Sequence, residues 1–126
     1  MKNSKIYFCR ECGCLLDPIG KECECITCCG KNMEELLPGT SDGAHEKHQP
    51  VVSYDGKHVT VTVGESGHPM TREHLIEWIY LKTDKGRYIR YLRADEHPSF
   101  TFTLSDEKPI EASAFCNKHG LWRAHF

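Results

Sequence analysis

Alternation of apolar and polar positions governs the chain from residue 50 onward. Pro50-Val51-Val52-Ser53-Tyr54, then Asp55-Gly56, then Lys57-His58-Val59-Thr60-Val61-Thr62-Val63 reads as a strand, a hairpin turn and a second strand. Val59, Val61 and Val63 share one face and His58, Thr60 and Thr62 the other, which is the period of two of a half-buried strand. Residues 75–82 and 87–93 flank a Thr83-Asp84-Lys85-Gly86 turn, residues 99–104 alternate Phe and Thr, and residues 110–116 alternate large and small. Leu75, Ile76, Trp78 and Ile79 also fit one helical face, but Trp, Tyr and Ile beside a turn favour a strand. Short strands at this spacing predict an all-β sandwich.

Before residue 37 the pattern is different. Sizeable apolar residues are few and scattered, while Cys9, Cys12, Cys14, Cys23, Cys25, Cys28 and Cys29 crowd together, with only Cys116 elsewhere. All eight histidines lie between His45 and His125. The composition changes at Leu37-Pro38-Gly39-Thr40-Ser41-Asp42-Gly43, which has the makeup of a linker. Two domains are therefore expected, a Cys-rich one over 1–36 and a β-domain over 37–126. A segment shorter than roughly 40 residues seldom folds without a metal, a disulfide or a partner, and the cysteines supply the means.

Composition narrows the function. The chain has 126 residues, with 16 Lys and Arg against 18 Asp and Glu, and no basic run of the kind that grips nucleic acid or an anionic membrane. Apolar runs fall well short of the roughly 18 residues of a membrane span, and Met1-Lys2-Asn3-Ser4-Lys5-Ile6-Tyr7-Phe8-Cys9 lacks the apolar core of a secretory signal. A cytoplasmic location follows as the expectation. In a reducing compartment, cysteines this dense read as metal ligands before disulfides.

Two constellations carry that chemistry. Cys9-x-x-Cys12 spaces two thiolates for one ion and Cys28-Cys29-Gly30 offers a second pair; four thiolates suit Zn or Fe and poorly match hard cations. Cys25-x-x-Cys28 is an equally regular pair, so spacing alone leaves a ribbon of Cys9, Cys12, Cys25 and Cys28 open. In the β-domain, His68 and His74 are six residues apart, roughly 240° around a helix, so they can act as ligands only from loops. Cys116 and His119 can converge through one turn closed by Gly120. His58, His97 and His125 read as solvated, and Trp78, Tyr80, Phe100, Phe102 and Trp122 as core or interface aromatics.

Taken in order, Cys9-x-x-Cys12, Cys28-Cys29-Gly30, Gly39-Thr40-Ser41-Asp42-Gly43-Ala44 leading into Glu46-Lys47-His48, then His68-Pro69-Met70, His74 followed by Ile76-Glu77-Trp78-Ile79, and Cys116-Asn117-x-His119-Gly120-x-Trp122 resemble desulfoferrodoxin, the two-iron form of superoxide reductase. The resemblance spans nearly the whole chain. It implies a mainly β protein with a small desulforedoxin-like domain whose iron is held by Cys9, Cys12, Cys28 and Cys29. It also implies an immunoglobulin-like β-sandwich with a catalytic iron held equatorially by His48, His68, His74 and His119 and axially by Cys116, making two irons per chain.

The implied reaction gives superoxide one electron and two protons, yielding hydrogen peroxide without oxygen. The axial thiolate would push electron density toward the open position. Lys47 would draw superoxide in and Glu46 would ligate the oxidised metal and help displace product; without the resemblance both read as an exposed loop ion pair. Rubredoxin or a similar small carrier is the implied electron donor and a homodimer the implied assembly. Cys14, Cys23, Cys25 and His45 are additional to the family pattern. The competing readings are a redox-inactive zinc-binding structural or interaction protein and an electron carrier using only the Cys-rich site.

Overall fold

The structure, a computed structural model, describes residues 4–20, 23–41 and 43–126. Met1, Lys2, Asn3 and Asp42, which enter the sequence reading above, lie outside them. The chain divides into two compact units, Met1–Leu37 and Pro38–Phe126.

Among its described residues the first unit has five two-residue strands. β1 (Tyr7–Phe8) pairs antiparallel with β2 (Leu15–Leu16) on one side and β5 (Glu34–Glu35) on the other, while β3 (Thr27–Cys28) and β4 (Lys31–Asn32) form a separate hairpin. Among its described hydrophobic residues only Ile6 and Cys9 are deeply buried. Turn hydrogen bonds knit it instead, with the Cys9 N–H donating to the Cys14 carbonyl at 3.0 Å and the Gly13 N–H to the Cys9 carbonyl at 2.8 Å.

The second unit is a seven-stranded sandwich. β6 (Pro50–Tyr54), β7 (His58–Val63) and β10 (Ser99–Thr103) form one sheet in the order β10-β7-β6. β8 (Ile76–Thr83), β9 (Arg87–Tyr91), β11 (Pro109–Cys116) and β12 (Gly120–His125) form the other, in the order β12-β11-β8-β9. Every pairing is antiparallel, and the three-plus-four arrangement is immunoglobulin-like. Val59, Val61 and Val63 from one sheet meet Ile79, Leu81, Ala112 and Ala114 from the other in a closed core that also contains Cys116. Short residues on β11 let the large residues of β7 and β8 approach.

Strand limits fall within two residues of those expected from alternation, and residues 76–83 form a strand, not a helix. β12 is not singled out by alternation; it exists through its register with β11, from Glu111 opposite His125 to Cys116 opposite Gly120. A single helical turn, α1 (His45–His48), precedes β6. Among the described residues no helix is long and apolar enough to cross a membrane.

Candidate metal centres

In the first unit the turn after β1 carries Cys9 and Cys12, and the β3–β4 hairpin carries Cys28 and Cys29. Their four sulfurs lie within 4.8 Å of one another, with Cys12 and Cys28 Sγ 3.6 Å apart and Cys28 and Cys29 Sγ 3.9 Å apart. Cys25 stands outside this cluster, its Sγ 3.7 Å from Asn32 Oδ1, and Cys14 and Cys23 are exposed. The backbone amide of Cys12, followed by that of Glu11, draws the Cys9 thiol down to about 7. Cys28 is pushed up to about 12, chiefly by its hydrogen bonds to Cys12 and Cys9. Sulfurs this close cannot all carry charge unaided, whereas a cation among them would stabilise every thiolate together.

In the second unit four imidazoles and one thiol converge from separate segments. His48 is the last residue of α1, and His68 and His74 lie on the connection between β7 and β8. Cys116 ends β11, and His119 sits in the turn before β12. The ligand-capable atoms of His48, His68, His74 and Cys116 lie within 4.8 Å of one another. His119 Nδ1 is 3.0 Å from His48 Nε2 and 3.8 Å from Cys116 Sγ. His45, exposed on α1, stays apart with its ring edge toward Trp122.

The ring nitrogens are presented for ligation. His48 Nδ1 donates to the Ala44 carbonyl at 2.6 Å and His68 Nδ1 to the Pro69 carbonyl at 2.6 Å, which leaves each Nε2 unprotonated with a lone pair directed into the cluster. The Nε2 atoms of His68 and His74 are buried without a hydrogen-bond partner. Burial lowers the pKa of His48 and His74 and brings His68 down to about 4, so these rings are neutral at pH 7. Burial raises the Cys116 thiol, while the Lys118 and His119 amides work in the opposite direction. Buried imidazole nitrogens without partners, set around a buried thiol, are a donor set that fits a cation of intermediate softness.

Contacts that sequence reasoning did not display hold these groups. The Trp122 indole stacks on His48 with centroids 5.0 Å apart and 21° between planes. Its Nε1–H donates to the His119 carbonyl at 3.0 Å, which also accepts from Ser41 Oγ at 2.5 Å. Gly43 lies so close that a Cβ there would be 2.7 Å from His119 Cβ, so only glycine fits. The Gly39-Thr40-Ser41 and His119-Gly120-x-Trp122 runs were the available signal; their role depends on a contact across 78 residues that spacing does not display. Glu46 and Lys47 are exposed on α1 immediately before buried His48.

Fold and donor sets together define a class: a mainly β protein with one thiolate-rich and one imidazole-rich centre, each suited to iron. The sequence profile described as Desulfoferrodoxin matches residues 40–125. The chain belongs to the desulfoferrodoxin family. It is 38% identical to the desulfoferrodoxin of Nitratidesulfovibrio vulgaris, over 95% of this chain and 94% of that protein. It is 33% identical to the superoxide reductase of Pyrococcus horikoshii, over 66% of this chain and 88% of that one. The crystal structure of the superoxide reductase from Treponema pallidum superposes with a TM-score of 0.80 at 36% identity, covering 98% of this chain and 99% of that one.

Proposed function

We infer that the chain is a superoxide reductase, an oxidoreductase that adds one electron and two protons to superoxide and releases hydrogen peroxide. The observation that carries this reading is the convergence of neutral imidazoles on a buried thiol, with two Nε2 atoms left unpartnered. His48, His68, His74, His119 and Cys116 would hold the catalytic iron. Cys9, Cys12, Cys28 and Cys29 would hold a second iron in a desulforedoxin-like domain over 1–36, with 37–126 as the catalytic domain. Ferrous iron in the His and Cys site supplies the electron and an open position for an anion.

The chain's own groups do the rest. Cys116, with a charge that burial alone disfavours, is stabilised by the Lys118 and His119 amides and directs electron density across the site. The Lys47 ammonium provides a positive potential at the exposed rim; after burial it is among the charges that depress His48 and His74, which places it within electrostatic reach of both. That potential raises the encounter rate with a small anion and is weakened by salt. Glu46, exposed on α1 two residues before His48, would offer a carboxylate oxygen to the metal after turnover and so help release product.

Rubredoxin or a similar small carrier supplies the electron, the chain acts as a homodimer, and its compartment is the cytoplasm. The testing experiment is the visible spectrum of the purified protein, oxidised and reduced, beside that of Cys116→Ser, followed by a superoxide reduction assay on both. Two sets of redox-sensitive bands, one absent in Cys116→Ser together with the activity, are expected. A colourless iron-free protein in both redox states would return the chain to the zinc-binding reading, because zinc has a filled d shell.

A further inference from the structure

We propose that Asn117 is a positioning residue that fixes His74 against Cys116. The proposal rests on the ligand set inferred above. Asn117 directly follows Cys116, is exposed, and is not one of the five residues assigned to the metal above. Its side chain nonetheless brackets His74. Nδ2 donates to the Glu73 carbonyl at 2.9 Å, and Oδ1 accepts from the Leu75 N–H at 3.1 Å. The Asn117 N–H adds a third bond, to the Leu75 carbonyl at 3.2 Å. The residues before and after His74 are thereby tied to the residue after Cys116.

This strap sits where nothing else defines the geometry. Residues 71–74 carry no regular structure, so a ladder does not set the direction of the His74 ring. Between Phe115 and Cys116 the register of β11 with β8 shifts, so the sheet stops dictating position just where the thiol must be aimed. Thr71 also contacts this loop: it accepts the His74 N–H through Oγ1 at 3.1 Å and donates from its backbone to the His74 carbonyl at 3.0 Å. Those bonds shape the loop from within. Asn117 alone among the described side chains with hydrogen bonds to residues 73–75 belongs to the Cys116 turn. An amide that both donates and accepts is required, since a carboxylate would meet the Glu73 carbonyl with like charge and an apolar group would leave both partners open.

Ligand direction sets how strongly sulfur and nitrogen orbitals share charge with a metal, so a small rotation is read in the spectrum before it is read in stability. The experiment uses full-length, iron-loaded protein and compares wild type, Asn117→Ala, Asn117→Asp, Thr71→Ala and Cys116→Ser. Iron stoichiometry, the thiolate-to-iron visible band and the ferric electron paramagnetic resonance are measured on each. The expected result is a shift of the band and of the resonance in both Asn117 variants at wild-type iron content, with the Thr71→Ala spectrum unmoved. Superimposable spectra for wild type and the Asn117 variants would overturn the proposal. An equal shift in Thr71→Ala, or loss of iron or folding in both Asn117 variants, would also overturn it, since the residue would then be a general support of the loop. Cys116→Ser separates the levels: if it keeps the band, the ligand reading itself fails, whereas if it loses the band while Asn117→Ala does not shift it, only the strap fails.

Discussion

Lys47 and Glu46 are adjacent, both exposed, and both within one turn of a buried imidazole, yet the chemistry asks different things of them. A cation at the rim acts on approach, before any bond is made. Lys47→Ala is expected to lower the second-order rate with superoxide by roughly 10-fold at low salt and to flatten its salt dependence, as steering terms do; pulse radiolysis across ionic strength measures both. A rate equal to wild type at low salt would refute the steering role. Glu46→Ala should keep its encounter rate but change the ferric spectrum at rest, because in the proposed role the carboxylate acts after reduction; an unchanged spectrum would refute that role. Of this site, the sequence displays which residue types are available and, through the family pattern, their order. It does not display Trp122 under His48 or Ser41 on the His119 carbonyl, because those contacts join residues whose separation carries no period.

Element by element, legibility follows burial. β7 is buried on one face only, so its valines alternate and its limits can be read. β8 is buried on nearly every residue, and its continuous apolar run fits helix and strand alike until its partners on both sides are known. The two-residue strands of the first unit and the single turn α1 are too short to impose any period. The connection after β7 shows a further constraint. The Gly64 N–H donates to the Gln49 carbonyl at 3.2 Å and the Ser66 N–H to the Glu46 carbonyl at 3.1 Å, which clasps α1 to the segment leading to His68. Gly64 has φ of +82°, and a Cβ there would lie 2.3 Å from the Lys47 carbonyl oxygen. Gly64→Ala is therefore expected to destabilise the protein by about 1–3 kcal/mol, seen as a lower Tm, and to alter the spectrum of the imidazole centre by moving α1. The β6–β7 hairpin gives a pH signature. Asp55 accepts the His58 and Lys57 amides, at 2.6 and 2.9 Å, which lowers its carboxyl from 3.8 to about 2. A carboxyl with a lowered folded-state pKa stabilises the fold above its unfolded value and loses that contribution as pH falls from 3.8 to about 2. A titration of the Asp55 carboxyl carbon by nuclear magnetic resonance with a midpoint near 3.8 would contradict this.

At the scale of the whole molecule, the two units answer the problem of stability by different physics, and metal removal should separate them. The second unit closes a core of fully buried Val59, Val61, Val63, Ile76, Ile79 and Leu81 between two sheets, and its ladders run five or more residues. Apolar burial of that kind needs no ion. The first unit has strands of two residues, deep burial at Ile6 and Cys9 but at no other hydrophobic position among its described residues, and exposed ion pairs such as Lys31 with Glu11 that contribute little. Its turns are shaped around four sulfurs, so the free energy of metal binding is a large part of its folding free energy. Stripping iron with a chelator under reducing conditions is therefore expected to abolish amide protection at β1 to β5 while β7, β8 and β11 stay protected, with the amides of residues 64–75 loosening because His68 and His74 would no longer share an ion. Hydrogen exchange with mass spectrometry resolves the segments. Restoring ferrous iron should return protection to the first unit, and Cys28→Ser should prevent that return without affecting the sandwich. Full protection of the first unit in iron-free protein would mean that its turns and few buried side chains suffice, and that metal binding at the cysteine cluster is not part of its folding free energy.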